Sequence, residues 1–343
     1  RSGLISKLAQ ISSPVLSRLF PSVPKGHPAL GNIFMNISAN LLGLDNAATP
    51  LGIRSMESLQ TINQQKDKAS DAMIMFLAIN ASGLTLIPSS IMAYRLQAGA
   101  ANPADIFVPV LIATFASTLV AILAVGIKQR IDFFQKPLLL FLLSSILFIG
   151  GVIYAGRTLP PETFSSISTA FASILLFGIM CGFVVSGLRA RINVYNAFIE
   201  GAKDGFGTAV TIIPYLLAML VGIGIFRASG AMDLITEGLR GLVGFWGGDM
   251  KFVEGIPTML MKPLSGSGAR GLMVDAMQTY GADSFVGRLC SIVQGSSDTT
   301  FYVVALYYGA VKIRNTRYTV SYSLLADLAG ALTAIAVTYI FFG

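Results

Sequence analysis

The stretch Ile292-Val-Gln-Gly-Ser-Ser-Asp-Thr-Thr-Phe301 places a run of polar residues, including a carboxylate, inside a hydrophobic segment. A related interruption occurs earlier, in Ala78-Ile-Asn-Ala-Ser-Gly-Leu-Thr-Leu-Ile87. Aligning Asn80 with Gln294 gives an offset of 214 residues (294 − 80), which also aligns the apolar run that follows each interruption. The chain is therefore predicted to consist of two related halves. Paired interruptions of this kind are typical of membrane proteins with a polar site at mid-depth between two repeats.

The composition predicts an all-α polytopic membrane protein. Of the 343 residues, 54% are hydrophobic and 12% are charged, whereas soluble domains carry about 25% charged residues. A helix needs about 20 apolar residues to cross a hydrocarbon core. The runs long enough are 106–127, 137–156, 163–188, 205–226 and 319–343, and the two interrupted segments are 72–94 and 289–311.

The basic residues predict topology and not nucleic-acid binding. The chain has 24 Lys and Arg against 17 acidic residues, and many lie in short loops beside hydrophobic runs, where positive charge marks the cytoplasmic side. Lys312, Arg314 and Arg317 share one loop, whereas the equivalent segment 97–105 has no Lys or Arg. Equivalent loops are thus expected on opposite sides of the membrane, which predicts two repeats of inverted topology.

The repeat also predicts the domain organisation. We divide the chain into a first repeat at 1–136, a linking transmembrane hairpin at 137–190 and a second repeat at 191–343. The apolar arm 29–44 is too short to cross, so a re-entrant helical hairpin is expected there, with a counterpart at 262–271. In the second half, the apolar run 205–226 precedes a stretch that loosely matches the first residues of the chain. By analogy an equivalent run should precede those first residues, so we expect the N-terminus to be truncated.

Asp298 is the strongest candidate for a binding residue. A carboxylate inside an apolar segment costs several kcal/mol, so it usually faces a cavity or a partner, and an interrupted helix offers free backbone groups to a solute or ion. Packing is the alternative, because Ser, Thr and Asn also hydrogen-bond between membrane helices. The candidates for solute or ion binding are Asn36, Asn40, Asn46, Thr49, Asn80, Ser82 and Thr85 in the first half and Ser265, Ser267, Arg270, Gln294, Ser296, Ser297, Asp298 and Thr299 in the second.

Other polar residues leave two interpretations open. Asn32, Asn36 and Asn40 recur every four residues and form one helical stripe, which either lines an aqueous path or packs against a neighbouring helix. Arg270 either pairs with an anionic solute or Asp298, or extends to the interface. Asp327 belongs either to the polar interior or to the headgroup region.

The remaining motifs argue against metal, cofactor and enzyme chemistry. Cys181 and Cys290 both lie in hydrophobic segments and His27 is the only histidine, so neither a disulfide framework nor a zinc site is predicted. The chain has no Ser-His-Asp, Walker or Rossmann arrangement. We expect no cofactor, although a coupling Na⁺ or H⁺ is left open, and no enzyme activity.

Several of these stretches resemble a known family. Asn36-Ile-Ser-Ala-Asn-Leu-Leu-Gly-Leu-Asp-Asn-Ala-Ala-Thr-Pro-Leu-Gly52 resembles spore maturation protein A, and Pro263-Leu-Ser-Gly-Ser-Gly268 and Gln294-Gly-Ser-Ser-Asp-Thr-Thr-Phe-Tyr302 resemble spore maturation protein B. The resemblance covers nearly the whole chain and is typical of a fused A–B protein. Both halves are similar to Gate, or nucleoside-recognition, domains, which also occur in concentrative nucleoside transporters and ferrous-iron transport protein B.

The resemblance and the residues together predict a function. We expect a multi-pass protein of the bacterial cytoplasmic (inner) membrane that moves a small polar solute, with coupling to H⁺ or Na⁺ left open. The alternative is a non-transporting protein that assembles with or regulates partners in the cell envelope or in spore maturation. The expected partners are membrane lipid and the solute, and a homo-oligomer is left open.

Overall fold

The computed structural model describes residues 14–24, 26–42, 45–203, 206, 217, 221–222, 225, 228–244 and 250–343. Within these residues the chain is helical and forms no β-strand. Residues 1–13 and most of the predicted span 205–226 lie outside the described residues. The helices are α1 (Pro28–Leu41), α2 (Asp45–Ile62), α3 (Asp71–Ala81), α4 (Ser89–Gln97), α5 (Phe107–Lys128), α6 (Lys136–Thr158), α7 (Pro161–Arg189), α8 (Ala231–Gly244), α9 (Ile256–Met261), α10 (Gly266–Tyr280), α11 (Phe285–Ser296), α12 (Thr300–Ala310) and α13 (Thr319–Phe342), and a 3₁₀ turn (Lys251–Gly255) precedes α9.

Four helices are long and apolar enough to cross a membrane. They are Phe107–Lys128, Lys136–Gly156, Thr169–Arg189 and Thr319–Phe342, which confirms four of the five uninterrupted spans. Buried residues make up 67% of the apolar window of α5 but only 17% and 6% of those of α6 and α7. The described residues thus leave most side chains of α6 and α7 uncovered, as is typical of helices that face lipid in a multi-pass membrane protein.

Both interrupted segments contain a real break in the helix. The first break, residues 82–88, separates α3 from α4, and the second break, residues 297–299, separates α11 from α12. Both segments begin with the same cap, because Ser70 Oγ accepts the Met73 N–H and Ser284 Oγ accepts the Gly287 N–H. Such serine caps satisfy otherwise unpaired N–H groups. The order of helix, break, helix and long apolar helix thus recurs in the two halves.

One end of the structure joins a loop from each half, and we call it the 315 end. It contains loops 63–70 and 311–318: the Ala69 N–H donates to Asn315 O at 2.9 Å and Arg317 pairs with Asp71 at 2.6 Å. The last turn of α5 reaches the same place, since Gln129 Nε2 donates to Asp71 O at 2.8 Å. At this end α3 and α13 begin, and α5 and α12 end.

The opposite end, which we call the 283 end, contains loops 98–106 and 281–284. Buried Arg95 pairs with Asp105 at 2.9 Å and with Asp283 at 3.0 Å, and Arg288 pairs with Asp105 at 2.7 Å. The guanidinium of Arg288 also lies 4.6 Å from the ring centre of Phe342, at the end of α13. Here α5 and α11 begin, and α4 and α13 end. Each end is therefore built from both halves.

Candidate functional site

The two helix breaks contact each other directly. The Asp298 N–H donates to Ala81 O at 2.8 Å. Gly83 has a φ of +58°, and a Cβ added there would lie 2.6 Å from Asp298 N and 2.7 Å from Ser297 C. Only glycine adopts this conformation without strain and leaves room for such a close approach. The small residues of the first break thus allow backbone contact with the second.

The tips of the two helical hairpins each bond to residues at one of the two breaks. Within the first break, the Leu86 N–H donates to Leu41 O at the end of α1, at 2.8 Å. Beyond the second, the Phe301 N–H donates to Pro263 O between α9 and α10, at 3.1 Å. These equivalent bonds join each break to the hairpin of its own half.

Side chains repeat this pairing with one difference. Asn40 Nδ2 donates to Asn80 Oδ1 at 2.9 Å, and Asn80 Nδ2 donates to Phe76 O at 2.9 Å. The equivalent Gln294 donates through Nε2 to Gly266 O at 3.4 Å, while its Oε1 has no hydrogen-bond partner among the described residues. The first amide is thus satisfied by protein, and the second is satisfied only in part.

A cavity of about 720 Å³ lies beside the breaks. Its lining comes from both hairpin tips, both breaks and the first turns of α4 and α12. The structure brings together ten of the residues singled out from the sequence, although they come from two stretches, 40–85 and 265–299, that are 180 residues apart (265 − 85). Those that line the cavity are Asn40, Thr49, Thr85, Ser265, Ser267, Arg270, Gln294, Ser297, Asp298 and Thr299.

Four other candidates do not line the cavity. Besides Asn80, they are Asn36, which donates to Ala48 O at 2.8 Å, and Ser296, which donates to Val293 O at 2.9 Å. Ser82 donates to Ile79 O at 2.7 Å, and its Oγ lies 3.0 Å from that of Thr118. The contacts of Asn36, Asn80 and Ser82 join different helices, as the packing interpretation expects, whereas Ser296 bonds only within α11. The side chain of Asn46 lies outside the described residues.

The asparagine stripe of α1 faces α2 for most of its length. Asn32 Nδ2 donates to Ser58 Oγ at 2.8 Å, one turn before the bond of Asn36 to the α2 backbone. Only Asn40, at the tip, reaches the cavity. The four-residue spacing identified the face correctly, but a single turn of helix decides whether an amide meets a neighbouring helix or the cavity.

Among the described side chains, one acidic and two basic groups line the cavity. Asp298 is exposed to it, and its Oδ1 accepts the N–H of Thr299 at 2.7 Å. Arg270 is half-buried, with its guanidinium 5.9 Å from the ring centre of Tyr94. Lys262 is 6% exposed. Lys262 was not among the binding residues predicted from the sequence. Its position just before the small residues of the hairpin tip is the one feature of the sequence that connects it with the site.

Asp327 is buried inside the protein, close to the second break. It is 7% exposed, and its Oδ2 accepts the hydroxyl of Thr300 at 2.7 Å, at the start of α12. It lies behind the second break and outside the cavity lining. Tyr302 and Tyr307 of α12, which the sequence analysis also missed, do line the cavity. No group of three or more His, Cys, Asp or Glu among the described residues could hold a metal ion.

Comparison with known proteins identifies relatives for most of the chain. The Gate family, described as nucleoside recognition, matches residues 1–133 and 209–314. Spore maturation protein B of Bacillus subtilis (strain 168) is 40% identical over 182 residues, which are 53% of this chain and 98% of that protein. Spore maturation protein A of the same organism is 44% identical over 123 residues, which are 36% of this chain and 63% of that protein. No solved structure matches the chain.

Proposed function

Because the chain belongs to the Gate family of nucleoside-recognition proteins, we propose that it transports a small polar solute across the membrane through the cavity between its halves. The observation that carries this proposal is the meeting of two broken helices and two hairpin tips around one polar cavity. Transporters place their binding sites at such positions, because the broken ends expose backbone groups to a solute or ion.

The direction of equivalent helices supports two repeats of inverted topology. In the first half, α3 runs from the 315 end to the centre, and α4 continues to the 283 end. In the second half, α11 and α12 follow the reverse course. The positive loop with Lys312, Arg314 and Arg317 lies at the 315 end, which assigns that end to the cytoplasm by the distribution of basic residues.

The two hairpins fit a re-entrant arrangement. Helix α1 has 14 residues and is therefore about 21 Å long, too short for a hydrocarbon core of about 30 Å. The base of this hairpin lies at the 315 end, where Gln60 donates to Val311 O at 3.2 Å, and its tip contacts the first break. The base of the second hairpin lies on the other side, where Tyr280 donates to Glu254 at 2.8 Å. Each hairpin would then enter and leave on one side.

Asp298 is the residue that we assign to ion coupling or to binding a donor group of the solute. Among the described side chains it is the one carboxylate in the cavity lining, and it lies in the second break, where helix ends can complete the coordination of a cation. Either H⁺ or Na⁺ could be the coupling ion.

Uptake by the full chain in proteoliposomes tests this assignment. Labelled nucleosides, amino acids and small carboxylates serve as probes, with imposed pH or Na⁺ gradients. The Asp298→Asn variant should fold with unchanged thermal stability but lose the dependence of uptake on the gradient. Glu57→Gln, which removes an exposed carboxylate of α2, is the matched control. Unchanged gradient dependence in Asp298→Asn would remove the coupling role from this residue.

A thermal-stability panel tests the existence of a solute site independently of flux. A ligand present at about 100 times its Kd should stabilise the folded protein by about 2.7 kcal/mol. If no probe stabilises the protein and none is taken up, the transport proposal fails.

A non-transporting role in assembly of the envelope or in spore maturation is the second candidate. It is favoured by the polar residues that bond only to neighbouring protein groups, such as Asn32, Asn36 and Ser82. On this reading the polar breaks hold helices together, so replacing Asp298 by Leu should destabilise the protein. If Asp298→Leu leaves stability unchanged or raises it, the second break has no such structural role and the assembly reading loses its support.

A further inference from the structure

One side of the cavity is built to attract an anionic group. Helix α10, which is 15 residues long, begins at Gly266 in the lining, and its Ser265 cap accepts the Gly268 N–H. The N-terminus of a helix carries partial positive charge and exposes backbone N–H groups. Arg270, one turn further along α10, and Lys262, just before it, add two full positive charges to the same side.

The groups beside the start of α10 are hydrogen-bond acceptors. Gln294 is 7% exposed and lines the cavity, and its Oε1 has no hydrogen-bond partner among the described residues. A buried acceptor without a donor is unfavourable, so an N–H or O–H of a solute would satisfy it. Asp298, four residues on, also lines the cavity, and an ionised carboxylate only accepts.

Several backbone carbonyls near the two breaks already have hydrogen-bond donors. Three carbonyls where helices end are already occupied: Ala81 O by the Asp298 N–H, Leu41 O by the Leu86 N–H and Pro263 O by the Phe301 N–H. Helices α4 and α12 also begin in the lining, and neither has a side-chain cap. The starts of α4, α10 and α12 thus bring backbone N–H groups close to the cavity.

The charge balance and the spacing of the two sides narrow the class of solute. Among the described side chains, two cations and one carboxylate line the cavity, and buried Asp327 interacts electrostatically with Lys262 from outside it. Arg270 and the start of α10 thus remain as the main partners for an anion. Gln294 Nε2 lies 3.4 Å from Gly266 O, so the acceptor groups lie directly beside the start of α10, and one small solute can reach both. A volume of about 720 Å³ is in the range of small-molecule sites.

We propose that the cavity binds a small zwitterion of the α-amino-acid type, with its carboxylate at Arg270 and the first turn of α10 and its ammonium group at Gln294 Oε1 and Asp298. This inference rests on the proposed transport function and names its class of solute. A neutral solute would leave the cationic side unmatched, and a simple anion would leave Asp298 and Gln294 without a donor.

Binding to the full chain in lipid nanodiscs tests the inference with four probes. L-Alanine carries both groups, propionate lacks the ammonium, ethylamine lacks the carboxylate, and uridine is a neutral polar control. We expect alanine to bind at least tenfold more tightly than propionate or ethylamine, as the loss of one charge-assisted contact implies.

Variants assign each group of the solute to its side of the cavity. Arg270→Gln should weaken alanine binding about tenfold or more, Arg270→Lys should recover part of it, and Arg189→Gln, at an exposed arginine of α7, should not change it. Gln294→Leu should weaken alanine without lowering thermal stability.

The outcomes separate the two proposals. If uridine binds and alanine does not, and Gln294→Leu abolishes uridine binding, the cavity is a solute site but the solute is not a zwitterion. Alanine binding that survives Arg270→Gln would also overturn the inference. The expected binding pattern without uptake in proteoliposomes would keep the site and refute transport, whereas no binding and no uptake of any probe would refute both.

Discussion

The first break and the second break occupy equivalent positions in the two halves, but their surroundings differ. In the first break, Ser82 is fully buried and bonded to protein groups, and Gly83 is pressed against Ser297 and Asp298. In the second, Asp298 is exposed to the cavity, and nearby Gln294 keeps an unpaired acceptor. The comparison shows that the repeat supplies a common backbone arrangement, while the polar side chains of the two breaks differ in how far neighbouring protein groups satisfy them.

The largest effect is expected at the point where the breaks touch. Gly83→Ala would place a Cβ 2.6 Å from Asp298 N, and the clash together with the left-handed backbone should lower the free energy of unfolding by about 3 kcal/mol. Denaturant titration of the detergent-solubilised protein measures this change.

Gly99→Ala is the matched control for Gly83→Ala. Gly99 also has a positive φ, +80°, but nothing lies within 4 Å of an added Cβ. The backbone conformation alone should cost about 1 kcal/mol. If the two variants lose the same free energy of unfolding, the close approach of the breaks contributes nothing to stability, and the packing role of the first break is refuted.

The second prediction contrasts the equivalent amides. Asn80→Leu removes the acceptor for Asn40 Nδ2, which is bonded at 2.9 Å, and leaves that donor unpaired, so unfolding should become easier by about 1–3 kcal/mol. Gln294→Leu removes only a 3.4 Å bond and an unpaired oxygen, so stability should stay within about 0.5 kcal/mol.

The two substitutions should affect solute binding in the opposite order to stability. Gln294→Leu is expected to weaken binding of the solute, because Gln294 lines the cavity, whereas Asn80 does not. Titration calorimetry on both variants measures this. A large loss of stability in Gln294→Leu would make the second break as structural as the first and erase the contrast between them.

The sequence predicted the elements better than their partners. Both breaks and four spans follow from local patterns, because hydrophobicity and small polar residues act over one or two helical turns. The bond from Asp298 N to Ala81 O joins residues 217 positions apart, and no local pattern encodes it. Asp298 could still be singled out, since a carboxylate in an apolar run is costly wherever it packs.

The sequence also could not show which turn of a helix lies beside the cavity. Asn36 and Asn40 share one face of α1, but only Asn40 reaches the end of the helix and the cavity. Lys262 carries no signal of its own, because a lysine beside a glycine-rich turn is also typical of an interface residue. It becomes a cavity residue only because the tip of its hairpin folds against the second break.

The smallest expected effect compares two serines at the ends of α3 and α11. Ser82 Oγ bonds to Ile79 O and lies 3.0 Å from Thr118 Oγ1 of α5, whereas Ser296 Oγ bonds to Val293 O of its own helix. Ser82→Ala should therefore cost about 1 kcal/mol, since it leaves the buried Thr118 hydroxyl without this partner, and Ser296→Ala only about 0.5 kcal/mol.

A double-mutant cycle with Thr118→Val isolates the bond between α3 and α5. Replacing both hydroxyls removes donor and acceptor together, so Ser82→Ala combined with Thr118→Val should cost less than the sum of the two single changes. The difference, about 0.5–1 kcal/mol, is the coupling between the two side chains. Additive losses would show that the 3.0 Å contact is not a stabilising bond. The first break would then be held by its backbone contacts alone, and the serine would be as dispensable there as in the second break.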